Sequence, residues 1–326
     1  MSNILITGAA GFIGSRTSRK LLENGENVVG VDNINDYYDK ILKHHRLDSL
    51  KKFPNFTFYE IDIENRKALS DVFQKHKIDA IINLAARAGV RYSIKNPDVY
   101  LTTNAHGTLN LLELMRKHDI TKIVQASSSS LYAGQEMPFT ETLPVNTPIS
   151  PYAVTKKAAE VLAYSYHYLF GLDISILRYF TVYGPAGRPD MSYFRFIKWI
   201  DEGNELTLYG NGEQRRDFTY VDDIVDGTIK ALKPIGYEII NLGNNHPHNM
   251  LELISIIEKI LNKKAQIKNM PAQKADVTAT WADINKAKKL LGWVPKISLA
   301  EGIENTVKWH VENRPLIKRI GIDLSL

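Results

Sequence analysis

Cysteine is absent from the 326-residue sequence. Its absence excludes disulfide bonds, thiolate nucleophiles and cysteine-ligated zinc or iron–sulfur sites. The nine histidines show no H-E-x-x-H pattern or other ligand spacing, so we expect no metal site. This composition fits a reducing cytoplasm, the location that we expect, although a chain without cysteine is compatible with any compartment.

Long apolar runs and clustered charges of one sign are also absent. No run of about 18 apolar residues occurs, so we expect no membrane span. The opening MSNILITGAAGFIGS has neither a basic region nor a small-residue cleavage site, so we expect no secretion signal. The formal net charge of +5 comes from scattered basic residues without interleaved aromatic residues. We therefore expect solvated helix faces rather than a nucleic-acid surface, and the mild positive charge suits a small anionic substrate.

Short β-branched runs alternate with longer amphipathic segments through the first half of the chain. The pattern predicts helices over about 12–24, 101–118 and 151–170, between strands such as NILIT and KIVQAS. Repeated β-α-β units of this kind form a doubly wound parallel sheet of the α/β class. We expect a dinucleotide-binding domain over 1–184 plus about 222–245. A smaller α/β substrate lobe is expected over 185–221 and about 246–326.

The turn GAAGFIG follows the first strand and opens the first helix. Its Gly8, Gly11 and Gly14 have the spacing G-x-x-G-x-x-G, with Phe12 and Ile13 between them. Glycines at such a turn let backbone N–H groups approach a pyrophosphate at the positive end of the helix. In this strand-turn-helix setting the motif predicts a dinucleotide site.

Acidic residues end the second and third predicted strands. Asp32 is placed to accept hydrogen bonds from the adenosine ribose, and Asn33 follows it with no adjacent Arg or Lys for a 2′-phosphate. The sequence therefore favours NAD over NADP. Asp62 and Ile63 are placed to flank the adenine, although Asp62 could instead cap the helix that follows.

Tyr152 and Lys156 form a Y-x-x-x-K pattern in the helical stretch after residue 150. The i, i+4 spacing places phenol and ammonium on one helix face. A cation there would stabilise the phenolate, so that Tyr152 could take a hydroxyl proton near neutral pH. The serine run SSSSLY lies about two dozen residues upstream, at the carboxyl end of a predicted strand.

The motifs GAAGFIG, NLAA, SSSSLY, YAVTK and RRDFTYVDD together resemble the extended short-chain dehydrogenase/reductase family of nucleotide-sugar epimerases, dehydratases and decarboxylases. The resemblance covers essentially the whole chain. More narrowly, DNINDYYD, AGVRYSIKNP, RYFTVYGPAGRPDM and DVTATWAD resemble the UDP-glucuronate 4-epimerases within that family.

The resemblance implies a catalytic triad of Ser128, Tyr152 and Lys156. It implies a redox-neutral reaction in which NAD⁺ takes hydride from C4 of the sugar and returns it to the other face. It adds Leu84, Ala85, Ala86, Asn104 and Tyr179 to the cofactor site. It also implies a homodimer built on the helices around 101–118 and 153–170.

Ser129 and Ser130 discriminate between members of that family. Dehydratase relatives have Asp-Glu after the triad hydroxyl, and decarboxylase relatives have Glu two residues before the following Tyr. Neutral hydroxyls can instead donate hydrogen bonds to a substrate carboxylate without the repulsion that a glutamate would add. The serines therefore indicate an epimerase that keeps its carboxylate.

The remaining implied substrate residues fall in the second half of the chain, apart from Arg91 in AGVR. The resemblance assigns Thr181 and Arg188 to the C6 carboxylate, although Arg188 could instead form a loop ion pair. It assigns Arg216 to the diphosphate. It assigns Tyr209, Gln273 and Asp276 to the region that holds uridine and phosphate.

Two motifs depart from the family pattern. The usual QPGD reads QKAD over 273–276, and AAQAGVR reads AARAGVR, which introduces Arg87 near the expected sugar pocket.

Taken as a whole, the sequence and its family resemblance predict a UDP-glucuronate 4-epimerase that uses NAD. A 4-epimerase of neutral UDP-sugars, a UDP-glucuronate decarboxylase and a nucleotide-sensing protein without catalysis remain alternatives.

Overall fold

The computed structural model describes residues 1–271 and 278–322. The strands of these residues are β1 (Asn3–Thr7), β2 (Asn27–Asp32), β3 (Phe56–Glu60), β4 (Ala80–Asn83), β5 (Lys122–Ser128), β6 (Asp173–Tyr179), β7 (Thr181–Tyr183), β8 (Glu205–Tyr209), β9 (Arg215–Tyr220), β10 (Tyr237–Leu242), β11 (Pro247–Asn249) and β12 (Gln266–Met270). The helices are α1 (Phe12–Glu23), α2 (Lys40–Leu50), α3 (Arg66–Lys75), α4 (Val90–Lys95), α5 (Pro97–Tyr100), α6 (Gly107–Lys117), α7 (Pro151–Phe170), α8 (Ser192–Glu202), α9 (Val221–Lys230), α10 (Met250–Leu261), α11 (Asn285–Leu291), α12 (Leu299–Glu312) and α13 (Arg314–Arg319).

A seven-stranded parallel sheet forms the centre of the molecule. Its strand order is β10-β6-β5-β4-β1-β2-β3. The order reverses at β1, which pairs with β2 on one side and β4 on the other. A reversal of this kind opens a crevice at the carboxyl ends of the strands, where open α/β sheets bind ligands. The predicted doubly wound fold is confirmed.

Alternating side chains of the strands pack on opposite faces of this sheet. Ile4 and Ile6 of β1 belong to one apolar cluster, while Leu5 between them belongs to another. A strand presents successive side chains to opposite faces, so a strand covered by helices on both faces must be apolar throughout. This requirement explains the consecutive apolar residues of β1 and β5, Ile4, Leu5 and Ile6 in one strand and Ile123 and Val124 in the other.

The smaller lobe has its own apolar core and two small sheets, β11-β9-β7 and β12-β8. That core unites apolar side chains of α8, α10 and α12. The division at 185–221 and about 246–326 stays a prediction. In the predicted segment of about 246–326, helix α11 packs against α9 and β10. Trp293, which follows α11, lies in the apolar core of the main sheet.

The helix predicted over 101–118 is confirmed, but its first turn is not α-helical. Residues 101–106 form a π-helical turn between α5 and α6. One wider turn of this kind changes the direction in which its side chains point. It buries Asn104, which donates hydrogen bonds to Arg87 O at 3.0 Å and Thr155 Oγ1 at 3.1 Å. The helix predicted over 151–170 is confirmed as α7.

Asp201 at the end of α8 contacts two cations and a histidine from the C-terminal part of the chain. Arg314 donates to both carboxylate oxygens at 2.8 Å, and Lys263 Nζ lies 2.9 Å from Oδ1. His310 Nε2 lies 3.4 Å from Oδ2. Hydrogen bonds from Arg314 and Lys263 hold the pKa of Asp201 well below its usual range, against the opposing effect of burial.

Asp201→Asn should therefore lower the free energy of unfolding by about 1–2 kcal/mol at pH 7, since the exposed ends of Arg314 and Lys263 are screened by solvent. A depressed folded-state pKa stabilises the protein above the pKa of the unfolded carboxyl, about 4, and that stabilisation is lost below it. The difference between the two proteins should accordingly narrow as the pH falls below about 4.

Urea unfolding at pH 7 and pH 3 measures this difference. Glu23→Gln, which removes the exposed Arg19–Glu23 pair, is the matched control and should change stability by less than about 0.5 kcal/mol. A difference for Asp201→Asn that is the same at both pH values would contradict the argument.

Candidate active site

A cavity of about 240 Å³ lies at the carboxyl ends of the sheet strands, beside the reversal at β1. Fifteen of the sixteen residues that the sequence assigns to the cofactor line it. They are Gly8, Gly11, Phe12, Ile13, Gly14, Asp32, Asn33, Asp62, Ile63, Leu84, Ala85, Ala86, Tyr152, Lys156 and Tyr179. The structure thus brings together residues from β2, β6, α1 and α7 with those that follow β1, β3 and β4.

The glycine turn packs so closely against the protein backbone that side chains are excluded at two of its positions. Gly8 has a φ of +70°, and a Cβ there would lie 2.8 Å from the Leu84 carbonyl carbon. A Cβ on Gly14 would lie 2.0 Å from Gly8 O. Gly11 begins α1 without a side-chain cap, so the first N–H groups of the helix are left for a ligand. A helix start of this form is an anion site.

Asp32 and Asp62 occupy the end of the cavity away from α7. Asp32 accepts hydrogen bonds from Ala10 N at 3.0 Å and Ile34 N at 2.9 Å. Asp62 accepts one from Asn33 Nδ2 at 2.6 Å. The helix-cap alternative for Asp62 is wrong, because Asn65 caps α3 by accepting from Ala68 N.

Lys43 lines the same cavity, and sequence reasoning missed it. Helix α2 carries it beside Asp32, eleven positions away along the chain. Burial lowers its pKa to about 8, and its Nζ lies 3.1 Å from Asn35 Oδ1. The sequence shows no cation adjacent to Asp32 along the chain. Helix α2 nevertheless brings the Lys43 ammonium close to Asp32 in the folded protein.

Asn104 is the one predicted cofactor residue that does not line the cavity. Its side chain holds the backbone of Arg87 and the hydroxyl of Thr155, so it links the loop after β4 to α7. Arg87, which the sequence placed near a sugar pocket, does not line the second cavity of the site, described below. Its charge acts on Lys43, on the cofactor side.

A second cavity, of about 510 Å³, lies between the sheet and the smaller lobe. Every predicted substrate residue that the structure describes lines it. These residues are Arg91, Ser128, Ser129, Ser130, Tyr152, Thr181, Arg188, Tyr209 and Arg216. Gln273 and Asp276 lie outside the described residues.

The two cavities meet at Ser128, Tyr152 and Arg188, which line both. Burial raises the pKa of Tyr152, while a hydrogen bond with Ser128 and the charge of Arg188 oppose that rise. Lys156 Nζ donates to Ala126 O at 3.0 Å. Burial lowers the pKa of Lys156 to about 8, against the opposing charge of Glu160. The phenol that could exchange a proton therefore stands where a cofactor and a second ligand would touch.

The serine run turns from a strand into a short helical turn. Ser128 ends β5, and its Oγ accepts from Ser130 N at 3.1 Å, which caps the 3-10 turn Ser129–Tyr132. The turn brings all three hydroxyls to the wall of the second cavity. Among the residues that the structure describes, Asp190 is the one carboxylate on the wall of this cavity, and it pairs with Arg188.

Arg188 both lines the cavities and forms an ion pair. Its Nε lies 3.0 Å from Asp190 Oδ1, and its Nη2 lies 2.5 Å from Oδ2. The loop ion pair that the sequence left as an alternative is thus present. Asp190 accepts from Nε and Nη2 of the guanidinium, and Nη1 takes no part in that contact.

Arg195 on α8 is a further cavity residue that sequence reasoning missed. Its Nε and Nη1 are buried without a hydrogen-bond partner among the residues that the structure describes. Buried donors without partners are costly, so the site fits an anion that would accept from them. The motif search passed over it because SYFRFIKWI reads as an ordinary amphipathic helix.

The described part of the chain holds neither a metal-ligand cluster nor a membrane-spanning helix. Across residues 1–271 and 278–322, no group of three or more His, Cys, Asp or Glu side chains could hold a metal ion. None of the helices in these ranges has the length and hydropathy needed to cross a bilayer.

Comparison with known proteins identifies the family. The family model for GDP-mannose 4,6-dehydratase matches residues 5–306. A UDP-glucuronate 4-epimerase of Thermodesulfobacterium geofontis is 58% identical over 99% of this chain and 100% of its own length. The crystal structure of the Bacillus cereus UDP-glucuronic acid 4-epimerase, in complex with UDP-glucuronic acid and NAD, has a TM-score of 0.90 at 40% identity. That match covers 95% of this chain and 99% of the other.

A UDP-glucose 4-epimerase of Thermotoga maritima, solved with UDP-glucose, has a TM-score of 0.88 at 33% identity, over 96% of this chain and 99% of the other. Sequence and fold agree across these matches. The chain therefore belongs to the GDP-mannose 4,6-dehydratase family of extended short-chain dehydrogenases/reductases.

Proposed function

We propose that this protein inverts C4 of UDP-glucuronate to give UDP-galacturonate, with NAD as a bound cofactor. The observation that carries the proposal is the junction of the two cavities. There, Tyr152 lies between the cavity that the glycine turn lines and a wall formed by the Ser128–Ser130 hydroxyls and Arg188. The relatives named UDP-glucuronate 4-epimerase, one of them solved with both ligands, support it.

The residues of the first cavity fit NAD. The N–H groups at the start of α1 would hold its diphosphate. Asp32 keeps lone pairs beyond its two backbone hydrogen bonds, so its carboxylate can also accept from ribose hydroxyls. When bound, the cofactor supplies a reversible hydride acceptor at C4 of the sugar.

Tyr152 would exchange the proton of the 4-hydroxyl, taking it during oxidation and returning it on reduction. Ser128 would hold the same oxygen, since its hydroxyl already bonds with Tyr152. Lys156, one helical turn farther along α7, would hold the nicotinamide ribose. Its buried ammonium adds positive charge at this end of the cavity.

Ser129, Ser130, Thr181 and Arg188 would hold the C6 carboxylate. The oxidised intermediate is a β-keto acid, which loses CO₂ readily when its carboxylate is free to align with the ketone. Hydroxyl donors on one side and a guanidinium on the other can fix the carboxylate in another orientation. A glutamate in place of Ser130 would instead repel it.

A 4-epimerase of neutral UDP-sugars is the second candidate. The Arg188–Asp190 ion pair favours it, because Asp190 already neutralises the guanidinium that would face a carboxylate. The similarity to a UDP-glucose 4-epimerase also supports this second candidate. A nucleotide-sensing protein without catalysis has less support, since Ser128, Tyr152 and Lys156 are all retained.

Homodimerisation and a cytoplasmic location also stay proposals. The dimer is supported by an exposed apolar stripe on α7, in which Val154, Val161 and Tyr168 are 47%, 54% and 78% exposed. Residues seven apart lie on one helix face, so the stripe could pack against its own copy. Exposed Leu101 lies on the neighbouring π-helical turn.

Product analysis with UDP-glucuronate and UDP-glucose separates the two candidate functions. The double variant Arg188→Met with Asp190→Asn removes the guanidinium without leaving a buried carboxylate unpaired. We expect it to lower kcat/KM for UDP-glucuronate about 10- to 100-fold, the effect of a lost charge-assisted hydrogen bond. Its kcat/KM for UDP-glucose should change less than about threefold. Formation of UDP-galactose in preference to UDP-galacturonate by the wild type would support the alternative.

Tyr152→Phe should lower kcat about 10²- to 10⁴-fold, because it removes the proton acceptor. The NAD content of the purified protein should be unchanged. The activity of the wild type should rise with pH on the acidic side of its optimum, since only the phenolate accepts a proton and burial raises the pKa of Tyr152. Ser165→Ala, at the far end of α7, is the control. Activity of Tyr152→Phe within threefold of the wild type would contradict the assigned role.

Val161→Asp should convert the dimer to a monomer, because a carboxylate in the centre of an apolar interface is left without water or a partner. Light scattering after gel filtration measures the mass directly. Val294→Asp, at a 41% exposed site outside α7, is the matched control and should remain dimeric. A monomeric wild type would refute the proposed interface.

A further inference from the structure

Arg46 on α2 is a buried arginine whose donors all have acceptors. Only 3% of the residue is exposed. Nε donates to Ala186 O at 2.9 Å, and Nη2 donates to Ala186 O at 2.7 Å and Gly187 O at 2.9 Å. Nη1 donates to Tyr38 Oη at 2.5 Å and Ala10 O at 3.3 Å. Within the described residues it forms no ion pair, so its charge is compensated by neutral oxygens.

The acceptors of Arg46 belong to both ligand sites. Ala10 lies in the glycine turn of the cofactor cavity, and its N–H bonds with Asp32. Ala186 and Gly187 lie in the loop between β7 and α8, directly before Arg188. One guanidinium therefore joins the cofactor turn to the segment that carries the proposed carboxylate ligand.

That loop has a backbone conformation that needs external support. Ala186 has a φ of +54°, which is unfavourable for a residue with a side chain. A Cβ on Gly187 would lie 1.8 Å from Tyr193 Oη, so the chain there is closely enclosed. Strained backbone persists only where surrounding contacts hold it, and Arg46 binds the carbonyls of the strained residue and its neighbour.

We propose that Arg46 is a positioning residue for sugar selectivity. It holds the 186–187 backbone so that Arg188 stands where a hexuronate carboxylate would lie. This inference rests on the proposed function, because it concerns the preference for UDP-glucuronate over UDP-glucose. Arg46 lines neither of the two cavities, so it would act through the position of Arg188.

Lysine cannot replace the guanidinium in this position. An ammonium has three donors on one nitrogen, whereas Arg46 uses five donors spread over a rigid plane. Arg46→Lys can keep the charge and one or two carbonyl contacts but not the bridge to both segments. Arg46→Gln keeps a single amide of two donors and removes the charge.

The test measures Kd for UDP-glucuronate and for UDP-glucose by calorimetry on NAD-loaded protein, with the NAD content of each sample measured after release. For Arg46→Lys and Arg46→Gln we expect the ratio of the two Kd values to fall at least tenfold. The fall should come from weaker UDP-glucuronate binding, with the Kd for UDP-glucose changed less than threefold. Hydrogen exchange of 184–191 should quicken in the same variants.

Two control variants separate positioning from a general loss of structure. Tyr38→Phe removes the hydroxyl acceptor but leaves the carbonyl contacts, so the ratio should be retained. Asp201→Asn weakens the smaller lobe elsewhere, and it should lower the melting temperature without changing the ratio.

The possible failures differ. A wild type that binds both sugars with the same Kd has no preference for Arg46 to support and overturns this inference. A wild type that forms no UDP-galacturonate from UDP-glucuronate overturns the proposed function on which it rests. A wild type that discriminates, with Arg46 variants that keep its ratio, overturns the inference alone. If the Arg46 variants bind both sugars more weakly by the same factor, the inference is also overturned, because a purely structural role predicts that result.

Discussion

The buried ion pair between Glu160 and Arg178 is the interaction on which the site depends. Both side chains are 1% exposed, and the guanidinium donates to both carboxylate oxygens, at 2.9 and 2.8 Å. Glu160 also accepts from Ser127 Oγ at 2.7 Å. The pair thus joins β6, α7 and the end of β5. Removing one partner would leave a buried charge, at a cost of about 3–5 kcal/mol.

This junction sets the relative position of the catalytic candidates. Ser128 follows Ser127 directly on β5, whereas Tyr152 and Lys156 lie on α7 one or two turns before Glu160. Arg178 also donates to Tyr132 Oη at 2.7 Å, and that hydroxyl bonds with Asn241 on β10. The serine turn is therefore fixed at both ends, and hydroxyl, phenol and ammonium share one rigid support.

Much of the cofactor cavity was predictable because its determinants are local. The spacing of Gly8, Gly11 and Gly14 states where the chain must turn tightly, and the apolar runs beside it state which segments become strands. The residues that were missed, Lys43, Arg46 and Arg195, lie on helices, the first two on α2 and the third on α8. A cation on such a helix has no sequence pattern that distinguishes a buried functional position from a solvated one.

The sequence by itself determined the doubly wound fold and the place of the dinucleotide turn, since periodicity and spacing encode them, and its resemblance to a known family implied the grouping of Ser128, Tyr152 and Lys156. Only the tertiary structure decided the π-helical turn around Asn104, the pairing of Arg188 with Asp190 and the bridge made by Arg46. The bond from Arg46 to Ala186 spans 140 positions. Contacts at that separation depend on strand order and lobe packing, which bring distant segments together and which no local pattern records.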